Sequence, residues 1–177
     1  MKEFLPNTQP VIDYPYMPEG GRIQYVPADH KFMQIAKAYA QRESYDQHMP
    51  NCSVIVRDGE ILGIAANGSD YHELYGCERK RLNSPTGQDY DKCEGCSPEN
   101  HGEAKAIANA LSSLGKNVSL EDAEVYLWGH WWCCEPCWNR MLGKGINTVN
   151  LIEKSQILFN RDVPGNIVGH QFDIKDL

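Results

Sequence analysis

The chain has 177 residues, of which 41% are hydrophobic and 23% are charged, as is typical of one soluble globular domain. Its net charge of -7 argues against a protein that coats nucleic acid nonspecifically, because that function needs a basic face. No long apolar segment opens the chain, and no apolar run approaches the roughly 18 residues of a membrane span. We therefore expect a cytoplasmic protein without a signal peptide.

The number and spacing of the cysteines indicate the class of protein more closely. The chain has seven Cys, an odd number, and six of them lie near other Cys or His residues at spacings typical of metal sites. Disulfide scaffolds are instead short secreted chains with paired cysteines. The pattern therefore indicates an intracellular protein that binds zinc.

Residues 1–27 are predicted to be an extended N-terminal arm. This segment is rich in Pro, Gly and Tyr, and its five prolines forbid a long helix. The remaining residues, 28–177, are expected to form one domain. The domain opens with a helix that Asp29 caps and that runs to about Gln47, because apolar residues recur there at helical spacing.

Two strands joined by a tight turn are predicted next. Residues 53–57 and 61–66 are mostly apolar, and the Asp-Gly pair between them is a strong hairpin signal. Asn67, followed by a glycine, ends the second strand. Taken by itself, this pair is equally well explained as an ordinary turn or as a functional position.

The polar loop at residues 69–99 contains four potential metal ligands. A metal is one way to hold so long a loop in shape. The two-residue gap between the last two cysteines is typical of zinc knuckles, so we predict a closed Cys3His site with a structural zinc. Its ligands would be His72, Cys77, Cys93 and Cys96. Two alternatives stay open: these cysteines are ordinary buried or free thiols, or Cys52 replaces His72.

The next helix is predicted over residues 101–114, with Asn100 as its N-cap and an apolar stripe on its buried face. His101 and Glu103 lie in its first turn. Asn100 with Glu103 three residues later is also a capping box, in which Glu103 would only bond a main-chain amide. Glu103 lies close to His101, and the pattern of metal ligands described below favours a chemical role for Glu103.

The rest of the chain completes an α/β pattern. We predict a strand at 124–128, a helix at 134–142 with Pro136 in its first turn, and a strand at 145–151. Residues 157–159 fit a fifth strand or a short helix. A hairpin followed by alternating helices and strands implies a mixed sheet with helices on both faces.

One set of residues has the pattern of a catalytic zinc site. His101 begins one predicted helix, and Cys134 and Cys137 begin another. Three protein ligands suit a catalytic zinc, since tetrahedral coordination leaves one position for water, whose pKa zinc lowers to roughly 7. Glu103, two residues after His101, is the natural proton carrier. The sequence thus predicts that two helix starts converge on one zinc ion.

This His-x-Glu and Cys-x-x-Cys arrangement resembles the signature of the cytidine and deoxycytidylate deaminase superfamily. The order of strands and helices over residues 53–152 agrees, so the resemblance covers somewhat over half of the chain. It implies a three-layer α-β-α cytidine-deaminase-like fold with a mixed five-stranded sheet for residues 28–177, and a substrate contact at Asn67. The loop before His101 looks like the extra zinc loop of some deoxycytidylate deaminases, which implies one catalytic and one structural zinc.

The activity implied by the resemblance is hydrolytic deamination of a cytosine nucleotide or nucleoside, with dCMP to dUMP favoured. Zinc-bound hydroxide would attack C4 of the ring, and Glu103 would carry protons to N3 and to the departing amine. Two other functions remain: a polynucleotide deaminase acting on tRNA or single-stranded DNA, which the acidic charge disfavours, and an inert zinc-stabilised binding module. Related deaminases also lead us to expect a homo-oligomer.

Two departures from the family pattern leave details open. Cys133 stands where the family usually has Pro, and we favour Cys134 and Cys137 as ligands because one Cys-x-x-Cys turn can chelate an ion while it starts a helix. Residues 69–71 lack the Pro-rich pattern common in deoxycytidylate deaminases, which leaves the exact substrate open.

Further candidates for substrate contact lie just before the predicted helix at 134–142 and in the loop at 69–99. His130, Trp131 and Trp132 precede the cysteine pair, and each could touch a base or simply pack. The basic run at residues 79–81 could meet a 5′-phosphate, although charge runs are more often solvated.

Overall fold

The computed structural model describes residues 11–177, and a mixed five-stranded sheet lies at its centre. The strands are β1 Arg22–Val26, β2 Cys52–Arg57, β3 Glu60–Ala66, β4 Glu124–Trp128 and β5 Thr148–Ile152. Their order is β1-β5-β4-β2-β3. β5 is parallel to both β1 and β4, and β2 is antiparallel to both β4 and β3. The mixed sheet predicted from the sequence is confirmed.

Helices cover both faces of this sheet. They are α1 Lys31–Glu43, α2 Tyr71–Tyr75, α3 Glu78–Arg81, α4 Gly102–Leu114, α5 Glu135–Leu142 and α6 Ser155–Leu158. Alternate residues of each strand face opposite layers: Val54 and Val56 pack with α1, and Ile55 packs with α4 and α5. The three-layer α/β fold is therefore confirmed. In residues 11–177, no helix is both long and apolar enough to cross a membrane.

Residues 157–159 form the end of α6 and its C-cap, so the alternative of a short helix is the correct one. The additional strand of the sheet is β1. β1 lies within the segment predicted as an arm, and its backbone pairs with β5 along the whole strand. Residues 22–26 of the predicted extended arm therefore pack on the domain and widen the sheet by main-chain pairing, although β1 is only partly buried. The first ten residues of the predicted arm lie outside the described part of the chain, and the domain boundary stays a prediction.

The first helix is shorter than its apolar periodicity suggested. His30, not Asp29, is its N-cap, and the His30 Nδ1 accepts from the Phe32 amide at 3.4 Å. The helix ends at Glu43 because the next residue is extended and turns its hydroxyl toward Asn67, to which it donates at 2.6 Å. This bond directs the chain from α1 toward the end of β3.

Helix α4 packs with its backbone directly against β3 at Gly63. A Cβ at this position would lie 2.3 Å from the main-chain oxygen of Ala106 and 3.0 Å from the Ala110 Cβ. Only glycine opposite two alanines permits so close an approach. The distance between α4 and the sheet, and hence the position of the start of α4, depends on this contact.

Candidate metal centres and the cavity beside them

The structure brings His101, Cys134 and Cys137 together, although they come from different helix starts. The His101 Nδ1 lies 3.4 Å from the Sγ atoms of both cysteines. His101 is the N-cap of α4, and Cys134 is the N-cap of α5. Main-chain amides at helix N-termini favour negative charge, so thiolates are stabilised there.

These separations fit a zinc ion. Zinc with Zn–S bonds of about 2.3 Å and Zn–N bonds of about 2.0 Å, in tetrahedral geometry, places a sulfur and a nitrogen ligand about 3.5 Å apart. The three donor atoms all lie within 4.8 Å of one another, and their set of one imidazole and two thiols is one that zinc accepts. This group could therefore hold one zinc with a coordination position left for a water molecule.

Glu103 is buried, with 6% of its surface exposed, and lines the same cavity as His101. Its carboxylate is not grouped with the three donor atoms as a further ligand among the described residues. It also does not form a capping box, because His101 and not Asn100 is the N-cap, and the Asn100 side chain donates to the Glu94 carbonyl instead. A carboxylate beside a metal site is free to carry protons.

Gly102 makes this arrangement possible by seating the start of α4 on the sheet. A Cβ at Gly102 would lie 3.1 Å from the Asn51 Oδ1 and 3.2 Å from the Ala65 carbonyl. Both of these contacts are tighter than ordinary Cβ contacts. A glycine between His101 and Glu103 therefore lets both functional side chains approach the end of the sheet.

The three adjacent thiols have different surroundings. A hydrogen bond from Cys137 and the neighbouring His101 imidazole lower the pKa of the Cys134 thiol to about 5. Burial raises the pKa of Cys133, which packs in the apolar core with Trp138. Cys133 thus lies outside the donor group, while the Cys-x-x-Cys pair lies inside it.

The second group predicted from the sequence is also brought together. His72, Cys77, Cys93 and Cys96 place one donor atom each within 4.8 Å of one another. The His72 Nε2 lies 3.4 Å from the Cys93 Sγ and 3.5 Å from the Cys96 Sγ, and the Cys77 and Cys96 sulfurs are 3.5 Å apart. Four such donors fit a closed tetrahedral zinc site.

Cys52 takes no part in this second group. It is fully buried in β2, where burial raises its pKa to about 12. In contrast, a bond from the Glu78 amide and the His72 side chain outweigh burial and lower the pKa of Cys93 to about 7. The donor atoms that lie together include that of His72 and not that of Cys52, so the geometry does not support the alternative that Cys52 replaces His72.

A cavity of about 870 Å³ lies between the first group and the loop. A volume of this size accommodates a nucleotide or a compound larger than a free base. One wall, which we call the sheet-borne wall, is formed by residues at the edge of the sheet and at the helix starts. The other, the loop-borne wall, is formed by residues 76–96. Residues of the sheet-borne wall include Asn51, Asn67, His101, Glu103, His130 and Cys134, and residues of the loop-borne wall include Arg79, Lys80, Arg81, Ser84, Tyr90 and Cys96.

The predicted substrate contacts divide into those that reach the cavity and one that does not. Asn67, His130 and Trp132 line it, but Trp131 does not and stacks on Tyr14 at 6.5 Å between ring centres. The amide of Asn67 is engaged within the protein: its oxygen accepts from Ser44 and from a main-chain amide, and its nitrogen donates to a carbonyl. These bonds fix the Asn67 side chain in the cavity wall, and its contact with substrate stays a prediction.

His130 has a defined tautomer. Its Nδ1 accepts from the amides of Trp131 and Trp132 at 3.1 and 3.3 Å, so the proton of the neutral ring lies on Nε2. Burial lowers the pKa of His130 to about 4. The ring is therefore a neutral hydrogen-bond donor in the cavity wall.

Asn51, Tyr90 and Arg161 are among the cavity residues that sequence reasoning missed. Asn51 lies directly before an apolar strand, and a lone polar residue there was the available signal. Tyr90 packs edge-on against His101 at 4.8 Å between ring centres. Arg161, whose guanidinium donates to the Ser84 carbonyl, comes from beyond the last strand. No local pattern marks the last two.

Comparison with known families decides the relationship. The model of the cytidine and deoxycytidylate deaminase zinc-binding region matches residues 27–153. This chain belongs to that family. A deaminase domain that binds zinc through His and Cys donors agrees with the first group described above. Comparison with curated protein sequences gives no match.

Solved deaminase structures resemble the domain only distantly. A dCMP deaminase of cyanophage S-TIM5 in apo form is 18% identical over 75% of this chain and 90% of its own, with a TM-score of 0.41. The guanine deaminase of Bacillus subtilis is 22% identical over 57% of this chain, with a TM-score of 0.34. The chain spans about half of that enzyme, 48%. An enzyme of adenosine editing at the wobble position of transfer RNA is 18% identical over 59% of this chain and 63% of its own, with a TM-score of 0.35.

Proposed function

We propose that the protein deaminates a free cytosine nucleotide by hydrolysis, with dCMP as the favoured substrate. The observation that carries the proposal is the buried Glu103 carboxylate in the same cavity wall as the donor group His101, Cys134 and Cys137. A purely structural metal site has no use for a proton carrier beside it. The family relationship supports the same reaction class.

The residues of the site divide the work of this reaction. His101, Cys134 and Cys137 would hold the zinc, which supplies a water molecule acidified to a pKa near 7. Glu103 would accept one proton from the attacking water and donate it to the ring nitrogen N3. It would then take the second proton from the new hydroxyl on C4 and pass it to the exocyclic amine, which leaves as ammonia. The water oxygen becomes the O4 of the uracil product. The neutral His130 offers an N–H to an acceptor atom of the base.

Charge in the loop-borne wall supports a phosphorylated substrate. The guanidinium of Arg79 is engaged by the carbonyls of Gln88 and Pro85, and Arg81 is paired with Glu78. In contrast, Lys80 is exposed and has no hydrogen bond or ion pair among the described residues. Lys80, with the spare donors of Arg161, is therefore the better candidate for a 5′-phosphate.

Turnover of a substrate panel tests the proposal. Purified protein loaded with zinc is incubated with dCMP, CMP, cytidine, deoxycytidine and cytosine, and the loss of the cytosine absorbance band is followed. We expect dCMP to react fastest. Reaction of a tRNA or single-stranded DNA substrate alone would instead favour a polynucleotide deaminase. Full zinc content with no reaction on any substrate would favour the inert binding module.

A further inference from the structure

The two donor groups are joined through one residue, Cys96. The His101 ring uses Nδ1 toward Cys134 and Cys137, and its Nε2 donates to the main-chain oxygen of Cys96 at 3.2 Å. The Cys96 side chain meanwhile belongs to the second group. A hydrogen bond on the outer nitrogen of a histidine ligand fixes its tautomer and orientation, and such bonds matter to metal affinity.

The segment between Cys96 and His101 is short and internally bonded. The Asn100 amide donates to the Ser97 carbonyl at 2.8 Å, and the Asn100 side chain donates to the Glu94 carbonyl at 3.0 Å. The ring of Tyr90, from the same loop, packs edge-on against the His101 ring, with 4.8 Å between ring centres. A displacement of Cys96 is therefore transmitted to the His101 ring.

The loop depends largely on the second group for its packing. α2 and α3 are five and four residues long, and neither has a buried residue. Helices this short are unstable without packing. Hydrogen bonds from Arg79 and Arg161 to loop carbonyls add support, but two of the buried side chains of the loop, Cys93 and Cys96, belong to the second group. Closure of the second group around an ion should therefore fix the position of the Cys96 carbonyl further.

We infer that closure of the second group on a metal ion positions His101 and thereby raises the metal affinity of the first group. Cys96 is thus a positioning residue for the first group as well as a ligand in the second. By thermodynamic linkage, filling the first group must raise the affinity of the second by the same factor. The inference depends on the proposed zinc sites, but not on the substrate that is deaminated.

Metal titration of the full chain tests the inference without any substrate. Cobalt(II) is titrated against a chelator, and its absorption is assigned to one group by a His101→Ala variant that retains only the second. Cys77→Ser removes a second-group ligand remote from His101. We expect it to lower the affinity of the first group by about 10- to 100-fold. Cys52→Ala, which removes a buried thiol outside both groups, should leave the affinity unchanged.

A second variant decides the matter if Cys77→Ser does not fold, as judged by circular dichroism. Asn100→Ala keeps all seven donors and removes only the bond to the Glu94 carbonyl. We expect the affinity of the first group to fall by about tenfold. Wild-type affinity of the first group in either folded variant would overturn the inference. Because neither measurement involves turnover, a failed substrate panel would not affect this result.

Discussion

The two walls of the cavity are built in different ways. The sheet-borne wall takes its functional side chains from helix starts that are fixed by a buried core, so their convergence follows from the fold. The loop-borne wall contains the short helix α3, which buries no residue, and two of its buried residues, Cys93 and Cys96, belong to a group of metal donors. The comparison suggests a division of labour in which the rigid wall carries the chemistry and the metal-held wall carries recognition.

The largest effect is expected in the rigid wall. Glu103→Gln keeps the size of the side chain but removes the proton carrier, so turnover should fall by about 10³-fold or more while zinc content is unchanged. Steady-state turnover and metal analysis on the same sample measure both quantities. Glu135→Gln, which neutralises an exposed carboxylate in the first turn of α5, is the matched control. Loss of zinc in Glu103→Gln would mean that Glu103 is a ligand.

A second change opens the donor group in the loop-borne wall. Cys93→Ser should reduce the zinc content from about two ions to one per chain, because the closed site loses a thiolate. Amide hydrogen exchange should then accelerate in residues 71–96 and stay slow in β2 and β4. Cys52→Ala should retain both ions. One zinc per chain in the unmodified protein would contradict the second site.

A third change separates recognition from chemistry. Lys80→Ala should raise KM for dCMP about tenfold with little change in kcat, because a phosphate contact binds substrate and transition state equally. Deoxycytidine, which has no phosphate, should be unaffected. Lys116→Ala removes an exposed lysine that does not line the cavity and serves as the control. An equal change with both substrates would assign Lys80 a structural role.

The smallest effect concerns His130. Its folded pKa of about 4 lies below the unfolded value near 6.5, so the folded protein binds fewer protons between these pH values. His130 therefore lowers stability as the pH falls through that window. In NMR spectra, its Cε1 proton should not shift between pH 8 and pH 5. A midpoint near 6.5 would show that the ring is not buried as described.

The sheet-borne wall was largely accessible from sequence. Alternating apolar residues and turn signals predict the strands and α4, and His101, Cys134 and Cys137 are recognised by spacing. The fold then brings them together because β3 and β4, the strands that precede α4 and α5 in the chain, lie on either side of β2 and are both antiparallel to it. Their carboxyl ends therefore lie at the same edge of the sheet. The local sequence pattern predicts this wall correctly because the buried core preserves the helices and strands that each segment favours by itself.

The other features of the fold and of the site depend on long-range contacts that no local sequence pattern encodes. β1 joins the sheet through main-chain pairing with a strand more than 120 residues later in the chain. Asn67 lines the cavity as expected, but its three internal hydrogen bonds were not predictable from the sequence. Trp131 packs on Tyr14. In each case the partner comes from a distant segment, so only the folded chain reveals it.

Gly63 gives the rigid wall a vulnerable point far from the chemistry. The glycine lies in the hairpin, yet it sets how deeply α4 can sit on the sheet. His101 and Glu103 both ride on the first turn of that helix, so one added methyl group in β3 would lift the imidazole and the carboxylate together. A substitution in the hairpin should thus disturb the candidate metal centre, although no hairpin residue belongs to its group of donors.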